Sequence, residues 1–113
     1  MLFEIGEWNV TQNNKTRHRE IMEKIYVNIQ TRRDVFKFLK SSKLLVDLNT
    51  HTGAENWCYI DEFESTHAYE ANVQALLTDK PATELRNTWE KLITPSSLKT
   101  HLWETFDLEP LWI

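Results

Sequence analysis

Three residues far apart in the chain have side chains that move protons: Glu4 in MLFEIGEWNV, Asp61 in WCYIDEF and His101 in KTHLWETF. A histidine held by a carboxylate in a dry pocket makes a general base, because burial and a neighbouring charge tune its pKa toward neutrality. Two carboxylates and a histidine are also donors that suit a divalent cation. Near them in sequence stand Trp8, Trp57, Tyr59 and Trp103. Large amphipathic rings of this kind wall a cavity or a subunit interface, where the body of the ring is apolar and its N–H or O–H finds a partner. These seven residues are the candidate ligand-binding set. The competing reading is that the same groups simply bury one another between two subunits, in a structural or partner-binding role.

Bringing Glu4, Asp61 and His101 together requires three strands of one sheet. Phe3 and Ile5 alternate with Glu4, Gly6 and Trp8, a strand pattern that ends at the turn TQNNK. Ile21, Met22, Ile25, Tyr26 and Ile29 recur at helical spacing. TRRD before VFKFL carries a capping-box signature, so one bent helix or two helices are expected up to SSK. LLVDLNT and WCYIDEF read as strands joined by the turn THTGAEN. A helix begins at Ser65 or Thr66, with Tyr69, Val73, Leu76 and Leu77 on one stripe, and breaks at TDKP. There Asp79 is placed to cap a further helix, Pro81 suits its first turn, and Leu85, Trp89, Leu92 and Ile93 form its stripe. KTHLWETF is the last strand, before a short apolar tail, DLEPLWI.

Strand, helix, strand, strand, helix, strand is the ferredoxin-like order, an α+β fold with a four-stranded antiparallel sheet and helices on one face. The chain of 113 residues is then a single domain spanning 1–113. In this order the first strand lies between the third and fourth strands. Alternation gives an expectation for the faces. With Phe3, Ile5, Cys58, Ile60 and Leu102 toward the helices, Glu4, Trp8, Trp57, Tyr59, Asp61, His101 and Trp103 converge on the other face. An apolar sheet face without helices needs a cover, and a second copy of the chain supplies one.

Other polar residues carry less. His67 opens a helix, His51 sits in a turn and His18 stands between Arg17 and Arg19; all three read as surface groups. No histidine pair has metal-ligand spacing on a helix, so no metal site is indicated. Cys58 is the only cysteine and reads as a buried, inert thiol. With Gly6 and Gly53 the only glycines, no phosphate-cradling loop is available. Residues 15–43 carry nine Lys/Arg against three Asp/Glu, leaving four basic and 14 acidic residues elsewhere. The basic segment also has a core face, so it reads as a solvated flank and not a nucleic-acid surface. Apolar runs are far shorter than the roughly 20 residues of a membrane span, and a cytoplasmic location is expected.

The opening MLFEIGEWNV, the segment YIDEFESTHAYEA and the closing THLWETF together resemble the dimeric α+β barrel superfamily, which includes NIPSNAP-like proteins and antibiotic-biosynthesis-type monooxygenases. The resemblance is one of elements over most of the length. It implies two ferredoxin-like sheets joined face to face around a cavity, hence a homodimer, with a small apolar or aromatic molecule as ligand. It also implies a cofactor-independent monooxygenase-like activity as an alternative. No cofactor, nucleic acid or membrane is called for. Haem-degrading members carry an asparagine on the first strand and a tryptophan and histidine on the helix after the third. Asn9 matches the first position, but HAYEANVQALL has no tryptophan and only His67, so haem degradation is not carried over.

Overall fold

A computed structural model describes residues 1–47 and 52–106. Strand β1 spans Leu2–Val10, helix α1 Lys15–Thr31, β2 Ser41–Val46 and β3 Glu55–Phe63. Helices α2 (Thr66–Thr78) and α3 (Lys80–Leu92) follow, and β4 is Lys99–Glu104. The four strands form one antiparallel sheet in the order β2-β3-β1-β4. This is the ferredoxin-like α+β architecture read from the element order, with β1 between β3 and β4. His51, read as a surface group in a turn, and the tail from Asp107 onward lie outside the described residues.

The helix boundaries follow local chemistry. Ser65 is extended and its hydroxyl accepts from the Ala68 amide at 3.1 Å, satisfying one of the donors that every helix start leaves unpaired. Asp79 does the same for α3, accepting from the Ala82 amide at 3.0 Å, with Pro81 in the first turn. The segment after α1 departs from expectation. Residues 32–40 form hydrogen-bonded turns from Arg32 to Val35 and from Phe36 to Leu39, with no second helix. The run VFKFL is too short to recover the cost of helix nucleation before β2 begins, and Phe36 and Leu39 are instead buried.

All three helices pack on one face of the sheet. Trp8, Val10 and Trp57 from the sheet meet Ile21 and Met22 of α1, Trp89 of α3 and Ile93 just beyond it in one cluster. Leu2, Phe63 and Leu39 form a second, with Ile29 and Tyr69 against it. The helix-facing set is therefore Leu2, Glu4, Gly6, Trp8 and Val10 on β1, with their partners Phe63, Asp61, Tyr59, Trp57 and Glu55 on β3. This reverses the expected faces of β1 and β3. Phe3, Ile5, Cys58 and Ile60 point away from the helices, and Glu4, Trp8, Trp57, Tyr59 and Asp61 point toward them. On β4, Leu102 shares the helix side with Glu4, while His101 and Trp103 pair with Ile5 and Phe3 on the open side, as expected.

Candidate functional site

The seven candidate residues fall into three groups. Trp8 and Trp57, 3% and 8% exposed, are packed into the core and stacked on one another at 6.4 Å. His101 and Trp103 lie on the open face of β4, both exposed. Glu4, Tyr59 and Asp61 come together between the sheet and the helices. The expected meeting of His101 with the two carboxylates does not occur, because β4 presents it to the opposite face. Among the described residues no group of three or more His, Cys, Asp and Glu is arranged to hold a metal ion.

Glu4 is the centre of the third group. Its two carboxylate oxygens accept from the Tyr59 hydroxyl at 2.5 Å and the Tyr69 hydroxyl at 2.7 Å. Tyr59 reaches it from the neighbouring strand, its ring lying across Gly6, where any side chain would occupy the same space. Tyr69 reaches it from α2, one turn after the Ser65 cap that fixes where that helix starts. Asp61 is the cross-strand partner of Glu4 on the same face. Its Oδ1 accepts from the Ser42 hydroxyl at 2.5 Å, and Ser42 in turn lies 2.8 Å from the Tyr26 hydroxyl of α1. Three phenols, a serine and two carboxyls thus form two short hydrogen-bonded chains side by side.

Charge and burial poise these groups unequally. Burial, opposed by the Ser42 hydrogen bond and reinforced by the charge of Glu4, raises the Asp61 carboxyl to about 6. Burial and the bond to Glu4 push the Tyr69 hydroxyl up to about 12 and Tyr59 higher still, the charge of Arg86 on α3 opposing in both cases. Tyr26 is raised in the same way, chiefly by burial. The site therefore offers phenolic donors that stay protonated and a carboxyl that changes state near neutrality. On its β4 side the cover is incomplete: Leu102, the partner of Glu4, is 52% exposed.

Two functional-looking residues escape sequence reading. Tyr69 was placed on a helix stripe, but nothing local announces that its hydroxyl crosses to β1. His18 is wholly buried, not on the surface. Its signal was present, since it precedes Ile21 and Met22 by three and four residues and so shares their face of α1. Its charged neighbours obscured that spacing. Arg19 turns outward to pair with the buried carboxylate of Glu55 and covers the Trp57 ring at 5.5 Å. Cys58 is half-buried on the open face, where burial and the charge of Glu7 raise its thiol. Beside it a shallow groove of about 500 Å³ runs over Glu7, Asn9, Leu45, Asn56 and Lys99.

Comparison with solved structures places this fold among known ones. An antibiotic biosynthesis monooxygenase superposes with a TM-score of 0.69 at 12% identity, over 94% of this chain and 99% of that one. An uncharacterized NIPSNAP domain protein from Burkholderia xenovorans gives 0.70 at 9% identity, over 97% and 99%. A variant of SnoaB, a cofactor-independent oxygenase from Streptomyces nogalater, gives 0.67 at 10% identity, over 97% of each chain. The fold is the one shared by antibiotic biosynthesis monooxygenase-like and NIPSNAP domain proteins, as the resemblance in sequence implied. No protein-family model matches the chain, and no curated protein sequence matches it. Among the described residues no helix is long and apolar enough to cross a membrane.

Proposed function

We propose that the chain acts as a cytoplasmic homodimer of one ferredoxin-like domain per subunit and binds a small aromatic molecule bearing a hydroxyl or carbonyl group. The observation that carries this reading is the convergence of Tyr59 and Tyr69 on Glu4 beside Asp61. Such a cluster gives a ligand donors and acceptors at fixed positions against aromatic rings, and the exposed flank at Leu102 is its way in. The open sheet face supports the dimer. Trp103 is 59% exposed there and Leu45 50%, next to Phe3, Ile5 and Ile60, an apolar surface that a second copy would bury.

A second reading is favoured by the placing of Asp61, which faces Glu4 across β1 and β3 with only the Ser42 hydroxyl on its Oδ1, so that burial and the Glu4 charge raise its carboxyl to about 6. A carboxyl poised near neutrality beside a hydrogen-bonded partner can take a proton from an acidic C–H or O–H of the bound molecule. The same site would then be catalytic without a cofactor, with Asp61 as base and Tyr59 and Tyr69, bound to Glu4, as the aromatic wall beside it.

Native mass spectrometry and NMR shift mapping with 2-naphthol test both parts. A dimer that becomes monomeric on Trp103→Glu, and shifts confined to residues around Glu4 that vanish in Glu4→Ala, are the expected results. A monomeric wild type overturns the dimer. Shifts confined to the open face overturn the site.

A further inference from the structure

His18 has no part in that site, yet it is a fully buried polar group bound by two tryptophans. It is fully buried on α1, and its Nε2 accepts the Trp8 indole N–H from β1 at 2.9 Å and the Trp89 indole N–H from α3 at 3.3 Å. The ring also packs edge-on against Trp57 of β3 at 4.9 Å between centroids. A nitrogen that accepts two N–H groups carries no proton, so the neutral ring holds its proton on Nδ1. Nδ1 is itself buried and has no hydrogen-bond partner among the described residues. One unprotonated nitrogen thus ties together the sheet, α1 and α3.

We propose that His18, Trp8 and Trp89 form an acid-operated clasp that holds α3 against the sheet and releases it when His18 is protonated. The added proton must go to Nε2, the only lone pair left on the ring. There it points an N–H at two indole N–H groups, so both hydrogen bonds are lost at once. A charge is also left in a fully buried site, where it costs more than it does in water. Trp8 sits in β1 directly opposite Trp57 of β3, so its position is fixed by the sheet. Trp89 sits on α3, a 13-residue helix that packs on α1 and α2 through side chains and has no place in the strand ladder, so α3 is the element that yields.

The charged groups around the ring set where this happens. From β3, Glu55 favours the protonated form, but its carboxylate is already bound by Arg19. From α1, Arg19 opposes protonation; from α3, Arg86 lies over the Trp89 ring, 6.0 Å from its centroid. Burial outweighs them and lowers His18 from 6.5 to about 4. The folded state therefore loses stability as pH falls below 6.5, and the loss is complete near 4. Release of α3 also withdraws Arg86 from Tyr59 and Tyr69, a consequence for binding that rests on the function proposed above; the clasp does not.

Hydrogen exchange of the wild type and of His18→Gln at pH 7.5 and 5, corrected for intrinsic rates, tests the clasp. A glutamine keeps an acceptor and does not titrate. In the wild type the α3 amides should open more readily than those of β1 and β3, and their opening should increase by about thirty-fold at the lower pH. In His18→Gln that increase should disappear. If α3 opens only together with the sheet, or its pH dependence survives in His18→Gln, the clasp is wrong. Should His18→Gln fail to fold, the wild type decides alone: opening of α3 that is separate from the sheet and acid-enhanced supports the clasp, and any other pattern overturns it.

Discussion

Glu4 and Asp61 face each other across β1 and β3 on the buried side of the sheet, and only one of them is fully supplied with donors. Glu4 receives two phenolic hydroxyls, one on each oxygen, whereas Asp61 receives a single serine hydroxyl on Oδ1. The pair explains why Asp61 resists ionisation: it is buried, and the nearest charge is another carboxylate.

Ionised Asp61 is a net cost to the fold. Its folded pKa of about 6 exceeds the ordinary aspartate value of 3.8, so stability is highest when it is protonated and falls as pH rises through 6. Asp61→Asn should raise stability by about 1–3 kcal/mol at pH 7 and change it little at pH 3.5. Urea unfolding at the two pH values measures this, and an equal change at both would refute it.

The two tyrosines share one acceptor, so their contributions should not add. Tyr59→Phe and Tyr69→Phe are each expected to destabilise by about 1 kcal/mol, allowing for the partial exposure of Glu4. In the double variant the losses should couple, because Glu4 is then left without either donor. A double-mutant cycle in urea reads the coupling directly; strict additivity would show that the two bonds are independent.

Gly6 is required by the ring above it. Gly6→Ala places a methyl group inside the Tyr59 ring and must push the hydroxyl off Glu4, costing about 1–3 kcal/mol. Combined with Tyr59→Ser, the same alanine should cost less than 0.5 kcal/mol, or about a surface-level change. Thermal unfolding of the four proteins separates the two cases, and an equal cost of Gly6→Ala in both backgrounds would count against the ring contact.

What the sequence determined by itself was the kind and order of the elements. Helical spacing in α1, the Ser65 and Asp79 caps and the alternation in β1 and β3 are local facts, and local hydrogen bonding decides them. Alternation also put Glu4, Trp8, Trp57, Tyr59 and Asp61 on one face together, because strand parity links them once β1 and β3 pair. Tertiary structure alone decided which face that was. Both faces of these strands carry apolar residues, Phe3, Ile5 and Ile60 on one and Leu2, Trp8, Val10 and Phe63 on the other, so a period of two cannot say which is covered. The helices chose the face whose residues Val10 and Phe63 close over completely, and that choice split His101 and Trp103 from the carboxylates. It also buried His18, whose two hydrogen-bonding partners, Trp8 and Trp89, stand 10 and 71 residues away in the chain, and packed the ring of Trp57 against it. Contacts of that range exist only after the chain has folded, which is why no local pattern announced them.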